Sequence, residues 1–165
     1  MEELYQRTIK AIMSNFKMMF DKLVIQQENL QISEINYKIL NEIPWGKITD
    51  EQKINLYRII QESFQNINKY ANAKNVNFEL SYDEPFFKIS IKDDGVGFNT
   101  KKKSKGIGLK NMKERAALIG ATYQIESKIN EGTQTTIILN LETTLLMLPF
   151  SVVCKKTSFV FVFIP

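Results

Sequence analysis

Histidine is absent from this 165-residue sequence, which excludes a histidine-centred catalytic triad and any histidine-built metal site. The single cysteine, Cys154, has no partner for an internal disulfide or a thiolate metal site, as suits a reducing cytosol. Two apolar stretches near the carboxy terminus, residues 145–154 and 159–164, are separated by Lys155 and Lys156, and neither approaches the roughly twenty residues that cross a bilayer. Glu2, Glu3, Arg7 and Lys10 make the first ten residues polar, so no signal peptide is expected. A net charge of +4 fits a protein that handles a polyanion, but no basic stripe with interleaved aromatics points to nucleic acid. With 44% hydrophobic residues, the chain can bury one good core, so one globular domain plus an appendage is expected.

The patterning names the elements. Ile9, Ile12, Phe16, Met19 and Leu23 recur at steps of three and four, a heptad seam that predicts a dimerisation or bundle helix, or one packed on its own domain. A short strand is expected near residues 35–40, ended by Pro44-Trp45-Gly46. Thr49 and Gln52 form a capping box that opens a long helix to about Tyr70, with Asp50 and Glu51 favourably placed against its dipole. Val76, Phe78, Leu80 and Tyr82 alternate with polar residues, Asp83-Glu84-Pro85 turns the chain, and Phe87, Ile89 and Ile91 alternate back as a hairpin. Leu109, Met112, Ala116 and Ile119 form a helical stripe terminated by Gly120. Two further strands, near 122–128 and 134–141, flank a turn containing Asn130, Glu131 and Gly132. The sum is an α+β fold: a layer of helices over a mixed, largely antiparallel sheet, preceded by an N-terminal helix.

Three stretches carry chemistry. In residues 61–73 (QESFQNINKYANA), Glu62, Asn66, Lys69 and Ala73 recur on one helical face, while Leu56, Ile60, Phe64, Ile67 and Ala71 form the apolar face. A carboxylate, a carboxamide and an ammonium on successive turns can serve a metal and a phosphate: magnesium keeps several waters, so the Asn66 amide oxygen plus substrate phosphates would suffice. Glu62 could then order a water or take a proton, and Lys69 could neutralise phosphate charge. The plainer alternative is a solvated helix face. In DDGVG (93–97), Asp93 stands at a strand end where a carboxylate can accept from an exocyclic amine. Gly95 and Gly97 would let a flat ring approach the backbone, and Asp94 is expected to be solvated. An ordinary loop or a calcium turn is the alternative, although the further carboxylates of an EF-hand are missing. In GIGL (106–109), Gly106 and Gly108 precede a helix, whose free N–H groups and dipole suit phosphate oxygens. The lysine-rich stretch between the clusters suits a lid or a merely solvated loop, and Lys110 a phosphate contact or a solvated helix.

QESFQNINKYA, DDGVGF, GIGLKNMKERA and EGTQTTI, in that order across residues 34–141, resemble the ATP-binding domain of sensor histidine kinases, within the Bergerat-fold superfamily. The GLKNMKERA wording is most similar to the group that pairs with helix-turn-helix response regulators. The resemblance implies a two-layer α/β sandwich and a histidine kinase, with ATP and Mg2+ as cofactors. It implies ATP contacts from Asn66, Lys69, Tyr70, Asp93, Gly95, Gly97, Lys105, Gly106, Ile107, Gly108, Leu109 and Thr133. Asn66 would hold magnesium, Glu62 would be catalytic, and Asp93 would read the adenine amine with support from Thr133. Residues 1–33 are then a partial dimerisation segment, residues 34–142 the catalytic domain, and residues 143–165, which include the aggregation-prone FVFVFI, a tail with no derivable role. The implied partners are a response regulator, a histidine-bearing dimerisation domain and a second copy of the chain, and the implied location is cytoplasmic, with or without an anchor elsewhere in the parent. Since the chain has no histidine, the acceptor must lie outside it. A serine kinase of the anti-sigma-factor type and a non-catalytic nucleotide-binding dimerisation module are the alternatives.

Overall fold

Phe20, Tyr37 and Phe64 close on the ring of Phe78 at centroid distances of 5.9, 5.0 and 5.6 Å, and each comes from a different element. The computed structural model describes residues 16–100 and 107–142. Ile9 and Ile12 of the seam, the lysines of 101–105, Gly106, and the tail from residue 143 fall outside them. Helix α1 is Phe16–Asn29, strand β1 Glu34–Ile39, and a 3-10 turn at Trp45–Lys47 leads into helix α2, Asp50–Asn66. Strands β2 (Asn75–Asp83) and β3 (Phe86–Asp93) form the expected hairpin, helix α3 is Ile107–Leu118, and β4 (Thr122–Ser127) and β5 (Thr133–Asn140) are the last of the described elements.

The sheet order is β1-β2-β3-β5-β4, with β1 parallel to β2 and every other pair antiparallel. This is the expected α+β arrangement with a mixed sheet. The strand alternation puts Val76, Phe78, Leu80, Phe87, Ile89, Ile91, Ile137 and Leu139 on the buried face. Helix α2 covers it with Leu56, Ile59, Ile60 and Phe64, and α3 with Met112 and Ala116.

The capping box exists as read: Thr49 Oγ1 accepts from the Gln52 N–H and Gln52 Oε1 accepts from the Thr49 N–H. The far end of the helix differs. Regular α-helix stops at Asn66, a π-helical turn spans Ile67–Ala71, and Asn72 turns left-handed at φ 49°. Ala73 therefore lies beyond the helix and is buried, not on its wet face as a uniform 3.6-residue wheel requires.

The heptad seam also acquires a local partner. Phe16 and Leu23 are buried in this same core beside Phe20 and Val24, and Trp45 bridges Phe16 to Phe87 at 6.1 and 6.0 Å. Ile25, on the other side of α1, stays exposed.

Candidate active site

The sheet register places two polar side chains together that lie forty residues apart in sequence. Asp93, the last residue of β3, pairs with Thr133, the first of β5, while Ser127 at the end of β4 pairs with Thr133 from the other side. A cavity of about 430 Å³ opens over this end of the sheet, between α2, its π-helical turn and the start of α3. Glu62, Asn66, Lys69 and Tyr70 line it from the helix, Asp93, Gly97 and Thr133 from the strand ends, and Ile107, Gly108 and Leu109 from α3. Most of the remaining lining is apolar, including Ile67, Ile91, Met112 and Ile125. An apolar pocket with a few convergent polar groups is the usual form of a small-molecule site.

Asp93 is buried, and its Oδ1 accepts from the Gly95 N–H at 2.9 Å. Burial raises its pKa above the ordinary carboxylate value, and the N–H bonds from Gly95 and Thr133 offset only part of that. Gly97 adopts φ +57°, a conformation that favours glycine. Its Cα faces the Lys128 and Gly132 carbonyls, where a side chain would collide.

Two other glycines act differently from expectation. Gly95 is not among the residues lining the cavity, and its φ is not positive. It is packed so closely against the backbone carbonyl of Ala71 that a Cβ has no room, so it lets the loop dock on the end of the π-helical turn. Gly108 lies inside the first turn of α3 rather than before it, and the space a Cβ would take holds the Glu62 carboxylate. The pairing of a small residue on one helix with a carboxylate on another has no local signature in sequence.

Asp94 is exposed yet not merely solvated. Its Oδ1 accepts from the Lys74 and Asn75 N–H groups at 2.8 and 2.9 Å, and its Oδ2 from Asn75 Nδ2 at 2.7 Å. These bonds lower its pKa, the Asn75 contacts most, and clamp the chain leaving the helix to the end of β3. Ser63, Phe98 and Thr135 also line the cavity and escaped the sequence reading. The spacing of Thr135 from Thr133 on one strand face could have flagged it. Lys105 and Gly106 lie outside the described residues.

Among the described residues, no cluster of three or more acidic, cysteine or histidine side chains could hold a metal by itself. None of the described helices is long and apolar enough to cross a membrane.

A family model described as histidine kinase-, DNA gyrase B-, and HSP90-like ATPase matches residues 51–143. Sensor protein VraS of Staphylococcus aureus is 36% identical over 102 residues, covering 61% of this chain and 29% of VraS. The chain thus spans less than a third of that relative. Among solved structures, the histidine kinase domain of the blue-light activated kinase EL346 from Erythrobacter litoralis superposes with a TM-score of 0.61 at 15% identity, covering 73% of this chain and 58% of that one. The Acinetobacter baumannii histidine kinase AdeS gives 0.62 at 17% identity, covering 82% and 75%. These two establish likeness of fold. The family match takes in more than half of the sequence, and the chain belongs to the histidine kinase-, DNA gyrase B-, and HSP90-like ATPases.

Proposed function

We propose that this chain carries the ATP-binding catalytic domain of a two-component sensor histidine kinase, transferring the γ-phosphoryl group of ATP to a histidine on another segment or protein. The observation that carries the reading is that Glu62, Asn66, Asp93, Gly108 and Thr133 line one and the same cavity. The kinship with VraS supports the kinase over other ATPases of the family.

In this reading Asp93 accepts a hydrogen bond from the adenine amine, with Thr133 beside it. Lys69 and the first turn of α3, with Ile107, Gly108 and Leu109, take the phosphates. Tyr70, exposed on the π-helical turn, contacts the nucleotide from the cavity wall, and Lys105 and Gly106 act from the segment ahead of α3. Gly95 and Gly97 shape the loop that holds Asp93. The donor set fits magnesium bound mainly through phosphate and water, with the Asn66 amide oxygen as the protein's ligand; the ion would neutralise developing charge on the phosphates. Glu62, one turn from Asn66, orients the incoming group. Phosphoryl transfer needs little covalent help from the protein, so placement of these side chains is the catalysis.

Residues 1–33 would then be a partial dimerisation segment whose helix α1 also packs its Phe16–Val24 face on the catalytic domain, 34–142 the catalytic domain and 143–165 an appended tail. The partners would be a histidine-bearing dimerisation domain, a second copy through the N-terminal helix and a response regulator, all on the cytoplasmic side, where ATP is available. Calorimetry should detect micromolar to submillimolar binding of ATP with magnesium, and absence of binding to folded protein defeats the proposal. Mixing the chain with a histidine-bearing dimerisation domain and labelled ATP should yield an acid-labile phosphoramidate. An acid-stable ester would indicate a serine kinase, and binding without transfer a non-catalytic module.

A further inference from the structure

The loop after β3 and the turn between β4 and β5 meet almost wholly through backbone. The Asn130 N–H donates to the Val96 carbonyl at 2.7 Å, Gly97 packs on the carbonyls of Lys128 and Gly132, and Gly132 packs on the carbonyl of Asp93. The Ser127 side chain enters this joint with three short contacts. Its Oγ lies 2.8 Å from the Phe98 nitrogen, 2.9 Å from the Gly132 carbonyl oxygen and 2.9 Å from Thr133 Oγ1.

A serine hydroxyl has one proton and two lone pairs. The Phe98 N–H can only donate and the Gly132 carbonyl can only accept, so the Ser127 proton goes to Gly132 and one lone pair to Phe98. The contact with Thr133 is then a hydrogen bond only if Thr133 is the donor. With its proton committed to Ser127, Thr133 Oγ1 has lone pairs alone to offer a ligand. The ionised Asp93 carboxylate, opposite Thr133 in the sheet register, is likewise an acceptor. Two acceptors side by side favour a base edge that carries N–H groups and penalise a carbonyl oxygen in the same place.

We propose that Ser127 is a positioning residue for base recognition: it holds the Thr133 hydroxyl as an acceptor and pins Phe98, the cavity-lining residue just ahead of the lysine-rich stretch. This rests on reading the cavity as an ATP site. It adds a residue that does not line the cavity and a reason for its effect on specificity.

The test compares the wild type with Ser127→Ala and Ser127→Thr. Each is titrated calorimetrically with ATP and with purine riboside triphosphate, which lacks the 6-amino group, and amide exchange at Phe98 is followed without nucleotide. Ser127→Ala should weaken ATP about tenfold and the amine-free analogue less than twofold, and should speed Phe98 exchange about tenfold. Ser127→Thr, which keeps the hydroxyl, should restore both. Equal loss for the two ligands would reduce Ser127 to a general structural role and overturn the proposal, as would unchanged Phe98 exchange in the alanine variant. A wild type that binds neither nucleotide defeats the ATP reading and base recognition with it, and the Phe98 amide still reports separately whether Ser127 holds the joint.

Discussion

Neighbouring carboxylates at 93 and 94 face opposite environments, and their titration should show it. Asp93 is buried with its pKa raised, so its contribution to stability is full below the unfolded value of about 3.9 and is lost as pH rises through the folded pKa. Above its folded pKa the ionised form costs the fold something, and the proposed role in base recognition accounts for its place there. Asp93→Asn should therefore melt no lower than wild type at pH 7, while ATP affinity falls about 30-fold, the ~2 kcal/mol of a lost hydrogen bond to a charged group. A melting temperature that drops by many degrees would mean that the carboxylate is structural. Asp94 has the opposite sign. Its pKa is lowered by the Asn75 and Lys74 contacts, so its stabilisation is full above the unfolded value and is lost as pH falls through the lowered folded one. Asp94→Ala should be less stable than wild type at pH 7 by an amount that water exposure keeps to the order of 1 kcal/mol, and denaturant titrations of the two should draw together as pH falls through the lowered folded pKa. The position of Asp93 was legible in the sequence because the alternation of Phe87, Ile89 and Ile91 runs out there, at the end of β3. The clamp by Asp94 was not, because its partners sit twenty residues upstream and become neighbours only when β2 pairs with β3.

At the scale of elements, the π-helical turn and the helix–helix contact decide what the glycines do. The π-helical turn takes more residues per turn than the 3.6 of a uniform wheel, and Asn72 then leaves the helix left-handed, which is why the wheel placed Ala73 wrongly while placing Leu56, Ile60 and Phe64 correctly. The apolar stripe was readable because burial constrains every turn of α2; the π-helical turn was not, because the loop docked on its end comes from residues more than twenty positions downstream. That loop presses Gly95 and the Val96 N–H onto the Ala71 carbonyl, the latter at 2.7 Å. Gly95→Ala drives a Cβ into backbone that cannot rotate away, so a loss of about 1–3 kcal/mol is expected, together with weaker nucleotide binding as Lys69 and Tyr70 shift. Gly108→Ala should separate the two effects. Its Cβ meets only the end of the flexible Glu62 side chain, and alanine favours a helix by about 1 kcal/mol, so melting should hold or rise while phosphoryl transfer falls with the displaced carboxylate. Chemical denaturation of both variants, with a transfer assay on the second, checks the pair. Full transfer by Gly108→Ala would show that the position of Glu62 is not critical.

For the whole molecule, the issue is where the folding unit begins. The family match starts at residue 51, inside α2, yet the core reaches back to Phe16. Helix α1 contributes Phe16, Phe20, Leu23 and Val24, Phe20 meets Phe78 and Trp45 at 5.9 and 6.1 Å, and Gln27 Oε1 accepts from Asn68 in the π-helical turn at 2.7 Å. The heptad spacing foretold an apolar face on this helix but not what would cover it, because a seam has the same period whether its partner is a second copy or a sheet of its own chain. Burial distinguishes the faces: Phe20 is 0% exposed and Ile25 is 55% exposed. Phe20→Ala should lose about 3–5 kcal/mol, as full-size cavities in a packed core do, while Ile25→Ala should stay within about 0.5 kcal/mol of wild type. Urea titrations of the two variants at several protein concentrations make the comparison. A small, equal effect at both positions would detach α1 from the core. A loss at Phe20 that disappears at high protein concentration would instead assign this aromatic face to a second copy, since only stabilisation by association depends on how much protein is present.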